Sequence, residues 1–194
     1  MKCKIRVSFF AILMLSALIY AMPDYFPILL ISVMIHELGH IFMAFLMGVR
    51  IREMRLEVLG ALIDLNGSLY SYKKEIIICI GGPLVNALTS LFAYMIFSPS
   101  ETLTLFLASS ISLGFLNILP IKDFDGGRIC LALLNIFLNT TTAEKIVKIS
   151  SLIFIISIWM ISIYFLLKVH ASLTLFVFSL SFFSKIFLSN ATQG

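Results

Sequence analysis

The sequence predicts an all-α integral membrane protein with six transmembrane helices and a short membrane-associated β-element between the second and third helices. Of its 194 residues, 60% are hydrophobic and 12% are charged, and the mean hydropathy is +1.08. Such a composition excludes an ordinary soluble domain. A span needs about 20 predominantly apolar residues, and the chain contains six candidate runs. With soft boundaries, they lie at about 6–22, 27–48, 76–98, 102–120, 146–168 and 171–189.

The six runs leave no stretch long enough for a separate soluble domain. Residues 1–194 are therefore predicted to form one polytopic membrane domain. With a cytoplasmic N-terminus, 13 of the 14 Lys and Arg residues lie on the cytoplasmic side, and only Lys168 lies outside. This asymmetry follows the positive-inside rule. It predicts a multi-pass protein of the cell membrane with both termini in the cytoplasm. The basic residues then lie beside anionic lipid headgroups, so the net charge of +4 does not predict nucleic-acid binding.

The first run also has features of a signal peptide, because a basic start precedes an apolar stretch. Ile19 would be the third residue before a cut after Ala21, where a small residue is required. An uncleaved first span is therefore favoured.

Residues 49–67 connect the second span to the third and alternate apolar and polar side chains around Gly60. This period of two is typical of two short strands, although a surface amphipathic connector would show the same pattern. An edge strand at this position could pair with an unwound peptide by β-augmentation.

The second span carries three ionisable residues, His36, Glu37 and His40, in the sequence HELGH. Each such group costs about 2.5–3.5 kcal/mol or more inside a membrane, which marks the segment as functional. Histidines four residues apart lie one turn apart on the same helical face and can bind one cation. The adjacent glutamate can take a proton from a metal-bound water. The pattern predicts zinc-dependent hydrolysis, with Glu37 as the general base.

A catalytic zinc usually has three protein ligands, and the third is expected where the fourth span reaches the cytoplasm. The topology places His170, the remaining histidine, on the outer side. Pro120 breaks the helix and Gly126–Gly127 permit a tight turn, and a broken helix inside a membrane is tolerated where it lines a cavity. Asp123 and Asp125 both lie in this stretch. Proximity to the glycines mildly favours Asp125, but physical reasoning alone does not choose between them.

Two asparagines, Asn86 and Asn117, fall within predicted spans. Buried amides commonly form hydrogen bonds between transmembrane helices. They can also hold a substrate backbone or stabilise an oxyanion. The second role is favoured for Asn117, which directly precedes the aspartate stretch, and both roles stay open for Asn86.

These motifs resemble the site-2 protease family of intramembrane zinc metalloproteases, whose signature combines HExxH with N-x-x-P-x-x-x-x-D-G. Here the second element is Asn117-Ile-Leu-Pro-Ile-Lys-Asp-Phe-Asp125-Gly, and Gly82-Pro-Leu-Val-Asn86 matches a further family element. The resemblance covers about residues 27–128. It implies one Zn²⁺ per chain with His36, His40 and Asp125 as ligands and Glu37 as catalytic base.

Within that family, the six compact spans are most similar to the stage IV sporulation protein FB branch, without its CBS domain. Members of that branch release a membrane-tethered sigma-factor precursor. The resemblance thus implies a zinc metalloendopeptidase that performs regulated intramembrane proteolysis near the cytoplasmic face. The substrate would be a membrane-tethered protein such as a transcription or sigma factor precursor. The bilayer is the other expected partner, and a membrane inhibitor or regulatory subunits are compatible with this interpretation.

Two other functions are compatible with intramembrane histidines and carboxylates. A metal-ion-binding transporter would use them as an ion pathway, but many transporters have inverted repeats with paired broken helices, and this sequence shows one break. A peptidase-like scaffold without activity would have no use for the base Glu37.

Overall fold

The computed structural model describes residues 4–7, 19–20, 23–49, 51–57, 60–65 and 71–169, with backbone alone for the strands and residues 165–169. These residues include three strands, β1 (Lys4–Val7), β2 (Ile51–Glu57) and β3 (Gly60–Leu65). They also include the helices α1 (Phe26–Leu46), α2 (Tyr72–Ile96), α3 (Glu101–Ile118), α4 (Asp125–Phe137) and α5 (Thr140–Val169).

Four helices of the described residues are long and apolar enough to cross a membrane. They are α1, α2, α3 and the Thr140–Tyr164 part of α5, and they correspond to the predicted second to fifth spans. The predicted first span at about 6–22 falls mostly outside the described residues, and the sixth at about 171–189 falls wholly outside them. The total of six spans therefore stays a prediction. Strand β1 ends at Val7, so a helical first span would begin after that residue rather than at residue 6.

The connection between α1 and α2 carries β2 and β3, where the period-two pattern lies. These two strands pair in antiparallel fashion. The sheet has the order β1-β2-β3, and β1 pairs with β2 in parallel. Strand β1 was not predicted from the sequence, because its four residues were assigned to the basic edge of the first apolar run. Attachment of this sheet to the membrane surface stays a prediction.

Local sequence signals explain the helix boundaries. Pro27 lies in the first turn of α1, where a missing N–H costs nothing. Gly48 ends that helix with a φ of +66°, and the Val49 N–H donates to the Ala44 carbonyl oxygen at 2.9 Å. This is the left-handed ending that favours glycine. Ser71 and Ser100 cap α2 and α3 by accepting backbone N–H groups, as N-cap serines do.

Helix α2 is the centre of the packing, since it contacts α1, α3 and α4, and α5 packs against α4. Glycines allow α1 and α2 to approach closely. A Cβ on Gly39 would lie 2.5 Å from the Gly81 carbonyl oxygen, so a side chain there would force the helices apart. The outward faces of the helices expose large apolar side chains, which in a bilayer contact lipid tails.

Candidate metal centre

Helix α1 places two imidazoles on the same face, as the four-residue spacing predicts. The side chains of His36 and His40 are buried, and their ring centroids lie 4.8 Å apart with an interplanar angle of 85°. Their Nε2 atoms are 3.2 Å apart. Both rings therefore direct the same nitrogen to one point inside the helix bundle.

Asp125 reaches this point from the first residue of α4. Its Oδ2 atom lies 3.0 Å from Nε2 of His36 and 3.1 Å from Nε2 of His40. Helix α4 was not predicted from the sequence. Its 13 residues are too few for a span, and the stretch that contains Gly126 and Gly127 was expected to form a turn. Gly126 and Gly127 explain how the helix starts there. A Cβ at either position would collide with the preceding turn, with the carbonyl groups of Ile118 and Ile121 respectively.

Two serines of α5 hold the turn that precedes Asp125. Ser151 Oγ accepts the Lys122 N–H at 2.8 Å, and Ser150 Oγ donates to the Pro120 carbonyl oxygen at 2.9 Å. Pro120 lacks an N–H and ends α3, so the backbone groups around it need partners from outside that helix. The serines supply them, and the turn is thereby fixed between α3 and α4.

The three converging atoms fit a single small cation. They are separated by 3.0, 3.1 and 3.2 Å. Ligands about 2.0–2.1 Å from a tetrahedral zinc lie about 3.3 Å from one another, so only a small expansion is needed. Two imidazoles and one carboxylate form a ligand set that catalytic zinc sites use, with a fourth position for water. The group His36, His40 and Asp125 could therefore hold a metal ion.

The outer nitrogens of the two rings contact α2. His40 Nδ1 lies 2.8 Å from the Ile78 carbonyl oxygen, and a carbonyl only accepts, so this nitrogen carries the proton. The lone pair of His40 Nε2 is then available to a metal. A hydrogen bond from the other ring nitrogen commonly fixes the tautomer of a metal-binding histidine in this way. His36 Nδ1 lies 3.3 Å from the Asn86 side-chain nitrogen, and that nitrogen donates to the Ser110 carbonyl oxygen at 3.3 Å.

The structure separates the two aspartates that the sequence left open. Asp125 is buried and joins the histidines. Asp123 is half-buried and does not belong to the metal-binding group. His170, expected on the outer side, lies outside the described residues. Glu37 follows His36 on α1 with a half-buried side chain, and its role as base stays a prediction.

The two asparagines occupy different environments. Asn86 is fully buried behind His36, where it contacts the outer nitrogen Nδ1 of that ring. Asn117 lies in the last turn of α3, and its amide donates to the Leu113 carbonyl oxygen of the same helix at 3.0 Å. Their predicted contacts with substrate stay predictions.

An ion pair lies one turn beyond Asp125. The Arg128 guanidinium is 3.4 Å from the Glu75 carboxylate, and each side chain is about one-fifth exposed. This pair was not predicted from the sequence, because a single sequence does not show which charges from α2 and α4 meet. The pair joins α2, which contacts the outer nitrogens of the two histidines, to α4, which begins at Asp125.

Comparisons with known proteins agree with this architecture. The model of a family described as Peptidase family M50 matches residues 25–101 and 97–161. The solved structure of a Site-2 Protease from Methanocaldococcus jannaschii is similar, with a TM-score of 0.68 and 24% sequence identity, and the match covers 94% of this chain and 88% of that chain. At this identity the likeness shows a common fold. No curated protein matches the chain.

Proposed function

This chain belongs to Peptidase family M50, and we propose that it is an intramembrane zinc metalloendopeptidase. Its substrate would be a membrane-tethered protein, cleaved near the cytoplasmic face of the cell membrane. The observation that carries the proposal is the convergence of His36, His40 and Asp125 within 3.2 Å of one another, with Glu37 beside the first histidine. A sigma or transcription factor precursor, as in the sporulation branch, is the substrate that the sequence resemblance favours.

Different residues of the chain would bind the metal and transfer the proton. His36, His40 and Asp125 would hold zinc. A bound zinc supplies a Lewis acid that polarises a carbonyl and activates water near neutral pH. Glu37 accepts the proton of the attacking water and then donates it to the departing amine. The buried His40 Nδ1–H donates to the Ile78 carbonyl oxygen, so that ring stays oriented.

The test compares two glutamate-to-glutamine variants in the purified full chain, reconstituted in vesicles with a membrane-tethered reporter and zinc. Glu37→Gln keeps the size of the side chain but removes the base, so cleavage should fall by about 10²–10⁴-fold while zinc content is unchanged. Glu144→Gln is the control, since Glu144 is exposed on α5, and it should cleave like the wild type. A zinc chelator should abolish cleavage, and added zinc should restore it.

Two outcomes would contradict the proposal. Cleavage at full rate by Glu37→Gln would mean that the glutamate is not the base. Absence of cleavage by the wild type with zinc bound, together with movement of metal ions across the vesicle membrane, would favour the transporter instead.

A further inference from the structure

One face of α2 forms a wall behind the metal centre. Ile78, Gly82 and Asn86 are four residues apart and therefore share a face of the helix. The first contacts His40 and the last contacts His36, each at the outer Nδ1 atom. The residue between them has no side chain. Because Gly82 has no side chain, it leaves space open beside the two imidazoles.

A side chain at Gly82 would occupy the space between the two metal-binding nitrogens. A Cβ built on this residue would lie 2.5 Å from His40 Nε2, 2.6 Å from His40 Cε1 and 2.7 Å from His36 Nε2. A zinc ion would lie about 2.0–2.1 Å from the same two nitrogens. A methyl group this close to both nitrogens would push the two rings out of the positions in which their Nε2 atoms converge. The convergence that a metal would need therefore depends on a glycine at residue 82.

We propose that Gly82 is a positioning residue of the metal centre, which keeps the metal position open and lets both imidazoles turn their Nε2 atoms toward it. The inference rests on the proposed function, since that function requires the metal. It assigns a role to a residue of the Gly-Pro-x-x-Asn element that the sequence analysis quoted but did not place in the site.

The neighbouring glycines show that this role is specific to Gly82. A Cβ on Gly81 would lie 2.7 Å from the Gly39 carbonyl oxygen and 2.6 Å from Met43 Cγ, so that glycine permits contact between helix backbones. A Cβ on Gly114 would meet its nearest atoms at 3.5–3.6 Å, which is ordinary van der Waals contact. The three nearest atoms at Gly82 are all imidazole atoms.

These differences predict different effects of the same substitution. In Gly82→Ala, the imidazoles can rotate away from the methyl group, and the alanine favours the helix more than glycine does. The helix bundle should therefore persist while the two nitrogens no longer converge. In Gly81→Ala, the obstacle includes the backbone of α1, so the bundle itself must open. In Gly114→Ala, neither change is required.

The experiment uses the purified full-length chain in detergent and its three glycine-to-alanine variants. Zinc affinity is measured by competition with a chelating dye, and Tm is measured with and without zinc. Wild type and Gly114→Ala should bind one zinc and gain Tm on adding it, because a ligand that binds only the folded state stabilises it. Gly82→Ala should bind zinc at least about 100-fold more weakly, beyond the usual effect of losing an outer partner of a ligand. Its metal-free Tm should stay close to that of the wild type, and that of Gly81→Ala should fall.

Wild-type zinc affinity in Gly82→Ala would overturn the inference. So would a failure to fold, or a metal-free Tm as low as that of Gly81→Ala, because Gly82 would then serve the packing of the bundle. Failure of the proposed function gives a different result. If the wild type binds zinc, Gly82→Ala does not, and no peptide is cleaved, the inference stands while the proteolytic function fails. A wild type that binds no zinc would overturn both.

Discussion

Asp125 and Asp123 are two residues apart but differ in what they contact. Oδ2 of Asp125 lies within 3.1 Å of both imidazole Nε2 atoms, whereas Asp123 is half-buried outside that group. The starting residue of α4 produces this difference. Because the helix begins at Asp125, its first side chain points back toward α1. The two residues are both aspartates, so their different contacts follow from their positions relative to the start of α4.

This geometry predicts a difference between two aspartate variants. Asp125→Ala removes a ligand and should weaken zinc binding by more than the roughly 10–100-fold lost with an outer partner of a ligand. Asp123→Ala should retain one zinc per chain and wild-type cleavage. Elemental analysis of the purified variants after dialysis provides the measurement. If Asp123→Ala lost zinc and Asp125→Ala kept it, the ligand assignment would be wrong.

At the scale of elements, α5 determines the position of the turn that delivers the third ligand. Ser151 is 2% exposed, and its hydroxyl accepts the Lys122 N–H. The Ser151→Ala variant leaves that partly buried donor without this acceptor, which should lower the free energy of unfolding by about 1–3 kcal/mol. The displaced turn should also weaken zinc binding.

Ser157→Ala is the matched control for this prediction. Ser157 lies on the same helix, is exposed, and within the described part of the chain donates only to the Ile153 carbonyl oxygen of its own helix. Its replacement should change stability by less than about 0.5 kcal/mol, as surface substitutions usually do. Equal thermal stability and zinc content in the two variants would show that the Ser151 contact does not hold the turn.

The elements differ in how well the sequence predicts them. Helices α1, α2 and α3 follow from apolar runs and from the capping residues Ser71 and Ser100, because hydropathy and caps are local properties. Strand β1 and the short helix α4 depend on distant partners. Strand β1 needs β2 beside it, and the start of α4 is fixed by backbone contacts of Gly126. A single sequence contains no direct record of such contacts.

The sequence predicts part of the candidate metal centre, because that part depends on local spacing, and metal binding there stays a prediction. The spacing of His36 and His40 is a helical property and specifies their common face. The choice of Asp125 needed either the family resemblance or the structure, since it joins α1 across 89 residues of chain. The Ile78 carbonyl was not predictable, because a backbone acceptor has no signature in the sequence.

At the scale of the whole molecule, the distribution of charge predicts the orientation in the membrane. Thirteen of 14 basic residues lie on the side assigned to the cytoplasm, and the positive-inside rule predicts that both termini face it. A reporter fused after Gly194 should be active on the cytoplasmic side, and one inserted near Asp24 should be active on the opposite side. A C-terminal reporter on the outer side would contradict the topology and the proposed cytoplasmic cleavage.

The chain separation between His36 and Asp125, 89 residues, has a consequence for biogenesis. Synthesis at about 5–20 residues per second places the histidine pair in the nascent chain about 4–18 s before the aspartate appears. During this interval the emerging polypeptide has two of three ligands and no complete centre. The proposed peptidase would therefore be inactive during its own synthesis, and proteolysis could begin only after α4 has docked.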